Sequence, residues 1–200
     1  MITFARHGQT ALNQGGRLQG RIDAPLSDLG RAQARALADA LRSEGVTRVV
    51  SSPLARARDT AAAIANAHGL AVDVDERLIE LDYGEWDGIA LGDVLADDWH
   101  RWRADPSFTP PGGESLIAVT ERVASFCRDA FDAGGDIVAV SHVSPIKAAV
   151  AFALAADEQI TWRMQLGVAS ITRISARADG NPHLLSFNET LHLANVDAPS

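Results

Sequence analysis

Cysteine is almost missing: Cys127 is the only one in 200 residues. No internal disulfide can form, and a reducing, cytoplasmic setting is the expectation. Lysine is as scarce, with Lys147 alone among 18 basic residues. Nearly every cation is therefore a guanidinium, whose planar fork suits phosphate. A GC-rich coding sequence produces the same bias, so the bias assigns no function by itself. No apolar run approaches the ~20 residues that span a bilayer, which argues against a membrane partner. The opening MITFARHG has neither the basic nor the apolar region of a secretory leader. The net charge is −8, which argues against nucleic acid, whose backbone needs a basic face. No Cys/His or carboxylate group has metal-ligand spacing, so neither a metal nor a cofactor is expected. Internal repeats and low-complexity stretches are missing too.

What remains is an ordinary globular composition, 46% hydrophobic and 22% charged. At about 150 residues per domain it suits a single domain over 1–200. A homodimer stays open. Ile2 to Ala5 reads as a strand, and residues 8 to 26 read as loop, broken by glycines and Pro25. LSDLGRAQARALADALRSEG reads as a helix capped by Ser27 or Asp28 and stopped by Gly45. Val46 to Ser52 reads as a strand, followed by a helix with Pro53 in its first turn and Gly69 at its end. LAVDVDERL holds a short strand. The stretch 83–113 is irregular and holds three of the four tryptophans. Leu116, Val119, Val123, Phe126 and Ala130 mark a strong helix whose stripe Cys127 shares, so a buried, inert thiol is expected. DIVAVSH is a buried strand ending in His142, and SPIKAAVAFALAA is a buried helix. Val168 to Ser175 and His183 to Phe187 are strands joined by the turn ADGNP.

Strands alternating with helices predict an α/β fold: a three-layer α/β/α sandwich with a mostly parallel central sheet. Ligands of such sheets bind outside the carboxyl ends of the strands. Three strands end there in polar groups: Arg6-His7, Ser51-Ser52 with Arg56 close behind, and His142. Two arginines and two histidines on one edge form an anion pocket suited to a phosphoryl group. An imidazole beside two guanidiniums stays neutral and nucleophilic. The leaving alkoxide needs a proton, and LIELDYGEWDG offers Glu80, Asp82 and Glu85.

That placement closely resembles the histidine phosphatase superfamily, which includes cofactor-dependent phosphoglycerate mutases and many small phosphomonoesterases. The motifs run in family order: RHGQT, Asn13, LQG and APLSDLG, then SSPLARARDTA, LIELDYGEWDG, GGES and SHV, with FNETLHL in the tail. The resemblance implies a phosphohistidine mechanism without metal. His7 is the nucleophile, and Glu80 is the general acid and then the base for water. Arg6, Arg56 and His142 clamp the phosphoryl oxygens. Asn13, Gln19 and Gly20 help hold the phosphate, and Thr10 supports His7. The family usually has Gly where this chain has Val143, whose bulk trims the pocket wall. The partner implied is a small phosphorylated substrate.

Within the family, the segment 89–111 reads as a short lid over the site. It is acidic (Asp93, Asp97, Asp98, Asp105) and aromatic (Trp99, Trp102). This favours a phosphatase with an apolar or sugar-like leaving group over the alternative, a phosphoglycerate mutase. Arg17, Arg21, Arg101 and Arg103 are the cations available for a substrate carboxylate. A catalytically silent phosphate-binding or scaffold protein is the third reading, disfavoured because all five core residues are present.

Overall fold

The computed structural model describes residues 1–177 and 180–196. Its strands are β1 (Ile2–Arg6), β2 (Arg48–Ser51), β3 (Val72–Val74), β4 (Ile137–Ser141), β5 (Ile171–Ala176) and β6 (Pro182–Glu189). Its α-helices are α1 (Ala11–Gln14), α2 (Asp28–Leu41), α3 (Ala55–His68), α4 (Ala96–Ala104), α5 (Leu116–Ala133) and α6 (Val143–Leu154). The sheet order is β3-β2-β4-β1-β5-β6. β1 to β4 are mutually parallel, β5 runs antiparallel to β1, and β6 antiparallel to β5. The expected mixed α/β architecture with a mostly parallel sheet is what the chain adopts.

The period-2 alternation of the strands separates two cores. Ile2 and Phe4 of β1, with Ile137 and Ala139 of β4, pack beside α5 and α6 residues such as Val123, Phe126 and Ile146. Ala5, Val138 and Val140 turn to the other face, with Leu37 of α2 and Ile64 of α3. The α5 stripe is buried as its spacing predicts. Cys127 is fully buried and its thiol is pushed up to about 12 by burial, which keeps it protonated and inert. Ser27 caps α2 by accepting from the Gly30 N–H, and Ser115 caps α5 by accepting from Ala118. Gly69 ends α3 at φ 66°, the left-handed conformation glycine adopts without strain.

Several boundaries differ from the pattern reading. α2 ends at Leu41 rather than at Gly45, because the last turn tightens: the Arg42 N–H donates to Asp39 O. Pro53 lies before α3, whose N-cap is Leu54. The loop after β1 contains α1, closed by a Thr10–Asn13 capping box, and the irregular stretch contains α4. β6 is longer than its apolar run. Of the predicted turn ADGNP, Ala178 and Asp179 lie outside the described residues. No helix among the described residues is long and apolar enough to cross a membrane.

Candidate active site

β1, β4 and β2 are adjacent and parallel, so the residues that follow them meet at one edge. Arg6 is in register with Ser141, and Ser51 with Val140. The His7 N–H donates to Ser141 O at 3.1 Å and the Ser52 N–H to Val140 O at 2.9 Å. His7 and His142 are both buried, with ring centroids 5.0 Å apart.

Arg56, on the first turn of α3, lies between them. Its Nε is 3.3 Å from His7 Nε2 and 3.3 Å from His142 Nδ1. Its other donors go to Ile22 O at 2.8 Å and Gly20 O at 2.7 Å. These contacts assign both tautomers. A carbonyl only accepts, so His7 Nδ1, 2.7 Å from Gly8 O, carries the proton and Nε2 holds the lone pair. His142 accepts at Nδ1, so its Nε2–H points to Ser52 Oγ at 2.7 Å. Burial lowers the proton affinity of His7 well below the ordinary histidine value, and the Arg6 and Arg56 charges add to this. His142 is lowered in the same way, by burial and then by Arg56. Burial also lowers Arg6, to about 10, which leaves it cationic.

Glu80 is the buried carboxylate of its motif, 3% exposed. It accepts from the N–H groups of Leu81 (2.8 Å), Ser144 (3.1 Å) and Val143 (3.0 Å). His142 is the N-cap of α6 but contributes no side-chain cap bond, so Glu80 takes that place from another part of the chain. The two other acids offered as proton donors, Asp82 and Glu85, lie differently. Asp82 pairs with Arg21 at 3.1 Å and accepts from the Gly84 N–H, and Glu85 is exposed.

The loop residues divide. Thr10 Oγ donates to Gln19 Oε1 at 2.6 Å, which leaves Gln19 Nε2 as a buried donor without a partner among the described residues. Arg6 Nη1 donates to Leu166 O at 2.7 Å, while its Nε is also buried and unpartnered. Two unpaired buried donors, one of them on the Arg6 guanidinium itself, are what an oxyanion would satisfy. Asn13 Oδ1 accepts from the Thr10 N–H at 3.1 Å in the capping box, a structural contact. Gly8 and Gly30 touch backbone to backbone: a Cβ on Gly30 would lie 2.0 Å from Gln9 O. That close approach seats the loop after β1 on α2.

Sequence reasoning missed the groups that hold this loop. Asp87 accepts from the N–H groups of Gly20, Arg21 and Ile22, each at 2.8 Å. The Gly20 and Ile22 carbonyls are thereby turned onto Arg56. Asp23 accepts from Ala55 N–H at 2.7 Å and caps α3. Thr60 accepts from the Gly8 N–H at 3.2 Å. Asp87 and Thr60 lie inside the GEWDG and RDTA motifs, which was the available signal.

A cavity of about 270 Å³ adjoins the site. Val143 and Ser144, whose N–H groups hold Glu80, form one wall, with Tyr83 and Lys147; Leu91, Trp99, Trp102 and Trp162 form the other. Val143 is thus one of the residues of the wall. All four tryptophans form one cluster, with Trp102 centroids 4.9 Å from Trp162, 5.4 Å from Trp99 and 5.6 Å from Trp86. The segment 89–111 supplies Leu91, Trp99 and Trp102. Its acids do not line the cavity: Asp97 and Asp98 occupy the first turn of α4, complementing the helix dipole. A second, open groove of about 510 Å³ lies at the far end of α6, against Phe152 and Arg128, and holds neither histidine nor cysteine.

The chain is similar to known phosphatases in sequence and in fold. A bifunctional protein of Mycobacterium tuberculosis, Rv2228c, is 40% identical over 199 residues, covering 96% of this chain and 54% of that protein. The chain thus spans about half the length of that relative. A glucosyl-3-phosphoglycerate phosphatase of the same species is 38% identical over 212 residues, covering 98% of this chain and 95% of the relative. Among solved structures, a phosphoserine phosphatase mutant from Entamoeba histolytica, in complex with phosphoserine, superposes with a TM-score of 0.88. It is 29% identical, with 96% of this chain and 98% of that one covered. The family model of the histidine phosphatase superfamily (branch 1) matches residues 2–190, from the first strand through the last, and the chain belongs to that superfamily.

Proposed function

We propose that the protein is a phosphomonoester hydrolase that acts through a phosphohistidine at His7 Nε2 on a small phosphorylated metabolite. The observation that carries this reading is the tautomer of His7. Its Nδ1–H is bound to the Gly8 carbonyl, which leaves the lone pair at Nε2, 3.3 Å from Arg56 Nε. The names of its relatives, a glucosyl-3-phosphoglycerate phosphatase and a phosphoserine phosphatase, support the substrate class.

In this mechanism the Nε2 lone pair attacks phosphorus and the ester P–O bond breaks. Glu80, protonated for this step, gives its proton to the leaving oxygen. The Nδ1–H to Gly8 O bond stabilises the positive charge that develops on the ring. Arg6, Arg56 and Gln19 Nε2 stabilise the charge on the phosphoryl oxygens, and His142, whose Nδ1 accepts from Arg56 Nε while its Nε2–H is held by Ser52 Oγ, keeps Arg56 in place. Glu80, now a carboxylate, removes a proton from water, the water attacks phosphorus, and the P–N bond breaks. Thr10 acts through Gln19, and Asn13 acts through Thr10. The pair of guanidiniums supplies the positive charge this chemistry needs. The single buried Cys127 suits a reducing cytoplasm.

The test is hydrolysis of a generic phosphomonoester in excess chelator. The expected result is undiminished phosphate release. Activity lost on chelation and restored by a divalent ion would overturn the metal-free mechanism.

A further inference from the structure

Lys147 is the chain's only lysine, and it lines a cavity that Tyr83 and three tryptophans also line. It is half-buried on α6, five residues after His142, and forms no hydrogen bond or ion pair among the described residues. A second donor shares the cavity wall: Trp102 is 3% exposed, and its Nε1–H is buried without a partner among the described residues. Buried donors are nearly always paired, so the unpaired Trp102 Nε1–H, on a cavity that an unpartnered ammonium also lines, points to an acceptor brought by a ligand.

The four arginines that the sequence offered for this task are engaged elsewhere. Arg17 donates to Gly88 O, and Arg21 pairs with Asp82 and Glu114. Arg101 lies over the Phe108 ring at 5.0 Å and Arg103 over Trp162 at 5.7 Å. None of the four lines the cavity. Burial lowers the proton affinity of Lys147, while the Glu80 carboxylate opposes this. An anionic ligand group at Lys147 offsets that burial cost. The cavity volume is below the roughly 300 Å³ at which drug-sized sites begin, so it suits one ring or its equivalent.

We propose that this cavity is the leaving-group subsite, and that its occupant is a compact apolar alcohol or phenol bearing one carboxylate held by Lys147. The proposal rests on the hydrolase reading and deepens it. Lys147 acts here as a specificity-determining residue, with the aromatic wall taking the apolar body and the ammonium taking the charge.

The test compares 4-carboxyphenyl phosphate with phenyl phosphate, using the ratio of their kcat/KM values. One charge-assisted hydrogen bond corresponds to ~1.5–3 kcal/mol, so the wild type should favour the carboxylated ester roughly tenfold or more. K147M should bring the ratio to about one, and K147R should restore most of it. The ratio is internal to each variant, so partial misfolding does not mimic the effect. In parallel, binding of 4-carboxyphenylphosphonate and phenylphosphonate is followed by tryptophan fluorescence, since Trp99, Trp102 and Trp162 line the cavity. The carboxylated phosphonate should bind more tightly, and K147M should lose the difference. No preference in the wild type, or a preference that survives in K147M, overturns the proposal. If neither ester is hydrolysed, the hydrolase reading fails, and the fluorescence titration still decides the subsite by the same criterion.

Discussion

Glu80→Gln is a sharper perturbation than its small change in shape implies. Glu80 accepts three backbone N–H bonds, two at Oε1 and one at Oε2. Glutamine accepts only at its carbonyl oxygen. Keeping Leu81 and Ser144 satisfied places the amide NH₂ against the Val143 N–H, donor against donor, where the carboxylate bond was 3.0 Å. An unsatisfied buried donor costs about 1–3 kcal/mol. For a chain of this size each kcal/mol lowers Tm by about 2–4 °C, so a loss of roughly 2–12 °C is expected. The catalytic effect is separate. A positioned acid contributes about 10²–10⁴ in rate, and most where the leaving oxygen is a strong base. Single-turnover rates of E80Q, measured well below its Tm, should therefore fall by about 10²–10⁴ for an alkyl phosphate and by far less for 4-nitrophenyl phosphate. Equal slowing of both esters would refute the acid role, and unchanged stability would refute the cap on α6.

Two further predictions test the frame around the site. His7 and His142 stay neutral in the native state, while in the unfolded chain they gain protons near pH 6.5. Stability is then intact above pH 6.5 and falls as pH drops, by at most about 1.4 kcal/mol per pH unit for each histidine. Denaturant midpoints between pH 7.5 and 5 should show a loss on the order of 4 kcal/mol; a flat profile would show that the rings protonate freely in the fold. Gly30→Ala, whose Cβ would lie 2.0 Å from Gln9 O, should cost about 1–3 kcal/mol by overpacking and lower phosphate release. Gly45→Ala, whose nearest contact is 4.0 Å away, is the control, and equal effects of the two would remove the backbone contact from the account.

The candidate site was legible because its members abut strands. Arg6-His7 and Ser141-His142 follow apolar runs, and a parallel sheet brings such ends together. The positive end of the pocket followed from the same argument, as did the choice of a carboxylate from the Glu80 motif. Other parts left no pattern to read. α1 has no buried residue and α4 has one, Trp102, so neither shows an apolar stripe. Asp87 acts on backbone N–H groups 65 to 67 residues earlier, a pairing no local pattern announces. Lys147 reads as an ordinary helical lysine until α6 is packed against the tryptophan cluster. The acids of 89–111 read as a charged lid, whereas Asp97 and Asp98 in fact begin a helix.

The central claim is that His7 Nε2 carries the phosphoryl group. The most direct measurement is rapid quenching of the enzyme with a labelled phosphomonoester under alkaline conditions, followed by peptide mapping and phosphorus NMR of the labelled fragment. One phosphoryl group per chain is expected, on the peptide containing His7, bonded at Nε2, acid-labile, and missing in His7→Ala. Label on another residue, on Nδ1, or retained in His7→Ala would contradict it.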